Sequence, residues 1–269
     1  MITLSLYYHK KTRLKTKGLV VFMTLQEFFL ANPSVGLALS GGVDSSYLLY
    51  AGTKYGADIK AYYVKTAFQP SFELGDALTI VAQLNAPLTV LERDITNERR
   101  ILENSPRRCY YCKRVILETI IQHAKEDGCK VIIDGTNASD NTVERAGTRA
   151  VKELSVRSPL RECGITKEMV RELSKEAGLF TWDKPAYACL ATRIPTGSVI
   201  TIELLRKVEA AEDILFNLGF NNFRVRVMDD AAKIQVPFDQ MPILLENRES
   251  VLNGLKPFFP TILMDLDGR

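Results

Sequence analysis

Ser40-Gly41-Gly42-Val43-Asp44-Ser45 stands directly after the apolar run 35–39. A strand that ends in two glycines and reopens as a helix leaves backbone N–H groups pointing into a bare, concave turn. Glycine admits a ligand close to the backbone, and a helix N-terminus carries partial positive charge, so this order of residues predicts a phosphate site. The plain alternative is a tight turn with an N-cap serine. Neither the Gly-Lys-Ser/Thr of a P-loop nor the dinucleotide pattern G-x-G-x-x-G follows.

Working outward, strand-like runs alternate with helical ones. Strands are expected over 35–39, 59–65, 88–92 and 130–134. Helices are expected over 44–55, closed by Gly56, over 72–84, and over 111–127, ended by Gly128. Upstream, Thr24-Leu25-Gln26-Glu27 reads as a capping box that starts a helix. Such alternation predicts an α/β fold with a doubly wound parallel sheet flanked by helices. Ligands in these sheets sit outside the carboxyl ends of the strands, where the Ser40–Ser45 turn falls. Two further polar turns share that edge, Thr66-Ala67-Phe68 and Gly135-Thr136-Asn137.

The rhythm changes after about residue 155. A compact helix over 166–177 has Thr166 as its N-cap and Gly178 at its end. Residues 181–198 follow neither period and contain Pro185, Pro195 and Gly197; an irregular stretch of that length inside a compact domain is usually functional. Helix 201–218, strands 223–228 and 233–236, helix 239–255 and strand 261–266 then form a smaller C-terminal α+β domain. The expected organisation is a basic extension over 1–22, an α/β domain over 23–180 that carries the phosphate turn, an irregular functional loop over 181–200 and the C-terminal domain over 201–269.

The 269 residues are 46% hydrophobic, enough for a sizeable core. The formal charge of +3 is misleading, because Lys10, Lys11, Arg13, Lys15 and Lys17 lie in the first 22 residues without an acid. The remainder carries 30 basic and 32 acidic side chains, a balance of −2, which argues against broad nucleic-acid binding. The basic lead has no apolar core of signal-peptide length, and no run reaches transmembrane length. The expectation is a soluble, cytoplasmic protein whose residues 1–22 are a disordered extension or come from an upstream start codon.

Five cysteines without a secretory signal argue against a disulfide framework. Two histidines, His9 and His123, leave Ser-His-Asp and ordinary His-zinc chemistry little to work with; His123 reads as a solvated helix position. Cys109-Tyr110-Tyr111-Cys112 opens a predicted helix and is bracketed by Arg107, Arg108, Lys113 and Arg114, a setting that favours thiolate. Cys189 lies in the irregular 181–198 stretch beside Lys184 and Arg193. Cys129 and Cys163 read as small core residues. Three thiols ligate three irons of a 4Fe–4S cluster and leave the fourth open to an extra ligand, such as a sulfide. A dithiol pair at Cys109 and Cys112, with Cys189 as a separate nucleophile, is the rival reading.

SGGVDSSYLL, RRCYYCK, DGTNASD, RSPL and TWDKPAYACLATRIPTG, in that order, resemble the LarE family of ATP-dependent sulfur transferases. The first of these is similar to the PP-loop of the ATP pyrophosphatases, so the resemblance implies an adenine nucleotide α-hydrolase-like fold. It implies that the carboxylates of a pyridinium-3,5-biscarboxylic acid mononucleotide are adenylated and converted to thiocarboxylates, a step in building a nickel-pincer nucleotide cofactor. One branch of the family sacrifices a single cysteine at the position matching Cys189. Another has three cysteines that hold a 4Fe–4S cluster, and Cys109, Cys112 and Cys189 match that branch. Residues 1–22 have no counterpart in the family pattern, and the chain stops a little before the usual family end.

On this resemblance Ser40, Gly41, Gly42, Asp44 and Ser45 hold the pyrophosphate of ATP with Mg²⁺, and Thr66 lines the nucleotide site. Gly135, Asn137 and Asp140 orient ATP or magnesium. Sulfur reaches the activated carbonyl from Cys189, or from a sulfide on the cluster it helps hold. Arg193 is the candidate for the developing negative charge. Arg224 and Arg226, alternating on one strand face, are candidates for the substrate phosphate, against the plain reading of a solvated strand. The implied partners are a small nucleotide dicarboxylate, a sulfur donor and further copies of the chain. Two other classes stay open, a PP-loop tRNA-thiolating enzyme and a non-catalytic nucleotide or redox sensor.

Overall fold

The computed structural model describes residues 23–140 and 146–269. The basic extension expected over 1–22 lies outside them. Thr24 caps the first helix, α1 (Leu25–Ala31), in a full capping box with Glu27. The chain then runs β1 (Ser34–Ala38), α2 (Val43–Lys54), β2 (Asp58–Lys65), α3 (Ser71–Leu84), β3 (Leu88–Glu92), a short α4 (Arg99–Leu102), the long α5 (Arg108–Glu126) and β4 (Val131–Ile133). All three pairings are parallel, in the order β3-β2-β1-β4. The chain winds outward from β1 through β2 to β3, then returns to the other side of β1 to lay down β4. The winding therefore reverses between β1 and β4, where a crevice opens at the carboxyl edge of the sheet.

Side chains alternate across the strands and build a core on each face. Ala61 and Tyr63 of β2 join Phe28, Leu37, Leu48 and Ile80 on one face. Tyr62 and Val64 join Leu117, Ile120, Ala124 and Ile132 beneath α5 on the other. The first core also takes Leu160 of α7 (Pro159–Glu162) and Val170 of α8 (Lys167–Glu176). The second takes Val151 of α6 (Ala146–Glu153). Sequence periodicity missed α4, α6 and α7; two of them are single turns of four residues, too short to show a period.

The second half is built on α9 (Ile202–Asn217), capped by Thr201, and a small sheet. Strand β5 (Arg224–Met228) pairs antiparallel with β6 (Ala231–Gln235), and β7 (Thr261–Met264) pairs parallel with β6. The single helix expected over 239–255 is instead a 3₁₀ turn followed by α10 (Met241–Glu246) and α11 (Arg248–Leu255). Pro242 occupies the first turn of α10. At the break, the Asn247 side chain donates to the Ile243 carbonyl at 2.9 Å, a local bond that competes with helix continuation. The core of this half reaches across the molecule: Phe68, Ile95, Ile101, Leu190 and Ile194 pack with Leu205, Val225 and Phe259. Residues 181–200 thus lie between the two sheets and are held by both.

Candidate active site

Val43 begins α2 with Gly42 as its N-cap, so the first amides of that helix face the crevice. Gly41 has a φ of +74°, and a Cβ there would sit 2.9 Å from the Glu73 carbonyl oxygen. Gly135, after β4, is pressed against the same turn: its Cβ would lie 3.0 Å from the Ser45 nitrogen. Neither position tolerates a side chain without moving backbone. Ser45 accepts from the Ser40 amide at 3.1 Å and donates to the Gly42 carbonyl at 3.2 Å, which holds the cradle shut on itself.

Asp44 leans out of the cradle between two partners. Asn137 Nδ2 donates to it at 3.2 Å and Lys167 Nζ at 2.5 Å. Asp140 accepts from the Asn137 amide at 3.0 Å, and Arg161 donates to the carbonyls of Asn137 and Asp140. Gly135, Asn137 and Asp44 are therefore brought together, with Asp140 one turn away. Sequence reasoning missed Lys167, which lies on the distant α8. Thr66 is 3% exposed, and its hydroxyl donates to Gln69 at 2.7 Å. It shapes the turn after β2 from inside.

The cysteines stand on the same edge. Cys109 and Cys112 occupy the first turns of α5, as the sequence pattern predicted. Lys113, next to Cys112, lies 3.4 Å from Asp134, the residue before Gly135. Burial works against a charge on Asp134, but Lys113 and bonds from Ser158 and Thr136 hold its carboxyl below the ordinary range. Cys189 precedes a 3₁₀ turn, Leu190–Arg193, and the Leu190 amide donates to the Phe68 carbonyl at 2.9 Å. That bond pins the Cys189 loop to the turn after β2. The three thiols share one locality, since Cys189 and Cys109 both raise Cys112 electrostatically.

Their ionisation differs from expectation. Burial, then the neighbouring thiols, pushes Cys112 up to about 12, and burial pushes Cys189 up despite Arg108. The surrounding cations do not outweigh desolvation, so both sulfurs rest as thiols. Among the described residues, no group of three His, Cys, Asp or Glu side chains is drawn together as a metal site. Thiols that each ligate a different iron need not converge on one point, so the donor set of three cysteines suits a multinuclear cluster better than a single ion. Cys129 is 6% exposed, under the Tyr62 hydroxyl, and Cys163 packs at the edge of the first core. His123 is half-buried rather than solvated, with its ring nitrogen 2.9 Å from the Thr119 carbonyl.

The arginines separate into two kinds. Arg193 is 1% exposed; its guanidinium grips Glu212 at 2.8 and 3.0 Å, donates to the Ala188 carbonyl at 2.7 Å, and covers the Tyr187 ring. Contrary to expectation, those N–H groups are engaged in holding the loop rather than turned to a substrate. Arg226 donates to Gln235 and to the Thr192 carbonyl, and likewise braces the loop. Arg224 is different. Burial, then Arg269, Arg193 and Arg226, lowers it to about 10, against the opposing pull of Glu212. Beside it opens a pocket of about 460 Å³ between α3, the 184–187 segment and α9, lined by Phe72, Lys184, Tyr187, Phe223 and Arg269. Asp76 links that pocket to the cradle: it pairs with Lys184, and its Cβ approaches Gly41.

The asparagine synthase family model matches residues 27–188. An uncharacterised protein of Synechocystis is 36% identical over 91% of this chain and 92% of its own length. The pyridinium-3,5-bisthiocarboxylic acid mononucleotide synthase of Lactiplantibacillus plantarum is 30% identical over 87% and 86%. The tRNA-specific 2-thiouridylase of Thermotoga petrophila is 25% identical over 61% of the chain and 58% of that protein.

Proposed function

The chain belongs to the LarE family of ATP-dependent sulfur transferases, and from that premise we propose that it converts carboxylates of pyridinium-3,5-biscarboxylic acid mononucleotide to thiocarboxylates. What carries the reading is the meeting of three features at one sheet edge: the Ser40–Ser45 cradle, the C-x-x-C that opens α5, and the Cys189 loop tied to Phe68.

A carboxylate resists attack because the nucleophile must add charge to an anion. ATP removes that obstacle: the substrate carboxylate attacks the α-phosphorus, pyrophosphate leaves, and a mixed anhydride with AMP remains. Amides of the cradle and the N-terminus of α2 take the pyrophosphate charge. Asp44 would hold Mg²⁺, which would supply charge neutralisation at the phosphates, and Lys167, now paired with Asp44, would bind a phosphate oxygen. Thr66, Gly135, Asn137 and Asp140 shape the nucleotide side of the crevice. A sulfide-level nucleophile adds to the activated carbonyl carbon and the C–O bond to AMP breaks, leaving the thiocarboxylate. Where the Cys189 thiol is that nucleophile, the thioester it forms releases the thiocarboxylate by β-elimination and leaves dehydroalanine. The acceptor sits in the aromatic-walled pocket, with its phosphate on Arg224 and its ring against Phe72 and Tyr187.

Cys109, Cys112 and Cys189 would hold a 4Fe–4S cluster, and that group would supply a replaceable sulfide. Incubation with ATP and the nucleotide dicarboxylate should yield AMP, pyrophosphate and an acceptor heavier by sulfur. An anaerobic preparation should be brown with about four irons per chain, and Cys109→Ser should lose the colour. Active, iron-free protein that converts Cys189 to dehydroalanine would replace the cluster with sacrifice of that thiol. AMP formation stimulated only by tRNA would establish thiolation of RNA instead.

A further inference from the structure

We propose that Asn104 and Arg108 are positioning residues that clamp the Cys189 loop to the Cys109–Cys112 helix and thereby set the separation of the three thiols; this rests on the reading that the three act together. Both side chains are buried, at 1% and 8% exposure. Asn104 lies between α4 and α5 with a φ of +51°, an uncommon backbone for a residue other than glycine. Its Nδ2 donates to the Pro195 carbonyl at 2.8 Å and the Ile194 carbonyl at 3.3 Å. Its own carbonyl accepts from the Gly197 amide, and the Leu102 carbonyl accepts from Ile200. Arg108 Nη1 donates to Asn104 Oδ1 at 2.5 Å and to the Ala191 carbonyl at 2.9 Å, while Nη2 stands 3.6 Å from Cys109 Sγ.

Burying a guanidinium and an amide is costly unless each N–H finds an acceptor. Here the acceptors are loop carbonyls within two to six residues of Cys189. The donors sit one and five residues before Cys109. The network therefore joins the two cysteine-bearing segments of the chain. Apolar packing in the same region, from Ile101, Leu190 and Ile194, seals the loop but does not fix its register; hydrogen bonds are directional and do.

Bridging with dibromobimane, which fluoresces once it links two thiols, tests the clamp on the ligand-free full chain under reducing conditions. Peptide mapping separates bridges between Cys189 and the α5 cysteines from the Cys109–Cys112 bridge, which lies within one helix and reports that the helix is intact. Asn104→Gly keeps the left-handed backbone and removes the side-chain bonds; Arg108→Met removes the donors and keeps much of the apolar stem. Both variants should lower the Cys189 bridges about tenfold while leaving the Cys109–Cys112 bridge unchanged. Turnover with ATP and the dicarboxylate should fall by about tenfold or more, with little change in KM for ATP, since misplacement of reacting groups by about 1 Å costs up to about a hundredfold. Cys189 bridges that persist in both variants would overturn the clamp. Their absence in the unmodified protein, beside a normal Cys109–Cys112 bridge, would instead overturn the premise that the thiols converge.

Discussion

At the scale of single residues, the chemistry depends on groups held in uncommon states. Asp44 shares its carboxylate between Asn137 and Lys167. Asp44→Ala should reduce AMP release by at least about a hundredfold, read as pyrophosphate formation, because charge stabilisation in a closed site is worth that much. Glu73 lies at the junction of cradle and loop, facing Lys65, Asp76, Arg193 and Lys184; burial raises its carboxyl to about 7. A carboxyl raised on folding favours the folded state fully below its unfolded value near 4.5 and loses that contribution as pH rises through about 7. Glu73→Gln should therefore become more stable relative to the parent between those limits, as measured by urea midpoints at pH 5 and pH 8. An unchanged difference would mean that Glu73 is ionised throughout. Asp44 and Asn137 were legible in the sequence, but the Glu73 carboxyl was not, since the sequence offers it as one acid among 32.

At the scale of elements, a buried ion pair anchors the loop before α9 to that helix. The side chains of Arg193 and Glu212 are 0% and 6% exposed, and the Glu212 carboxylate also accepts from the Val225 amide at 2.9 Å. Removing one partner strands the other charge, so Arg193→Met should cost about 3–5 kcal/mol of unfolding free energy by denaturant titration. Gly135 sets a second limit. A methyl group there meets the Ser45 backbone, so Gly135→Ala should displace the cradle and raise KM for ATP more than it alters unfolding. Equal KM values would show that the turn after β4 gives way. Helix ends were readable in advance for a local reason: Thr24, Thr166 and Thr201 each accept from an amide three residues on. The break at Asn247 was not, because proline and asparagine in helical context are judged by what packs around them.

At the scale of the molecule, the winding reverses between β1 and β4, and a pocket lined by Phe72, Tyr187, Phe223 and Arg269 opens between α3 and the second half. No described helix is long and apolar enough to cross a membrane. The charge balance of −2 beyond residue 22 predicts that AMP formation responds to the nucleotide dicarboxylate and not to tRNA, with a shallow dependence on salt. A steep loss with rising salt, together with stimulation by RNA, would reverse that assignment.

The sequence by itself determined the winding of the sheet, the phosphate cradle and the set of three thiols, because strand alternation, paired glycines and cysteine spacing are local properties that neighbouring residues carry. Tertiary structure alone decided that Arg193 is bound to Glu212, that burial raises Cys112 and Cys189, and that Lys167 meets Asp44 while Asn104 and Arg108 meet the 191–195 carbonyls. Those outcomes depend on desolvation and on contacts between residues up to 123 positions apart, and no local pattern encodes either.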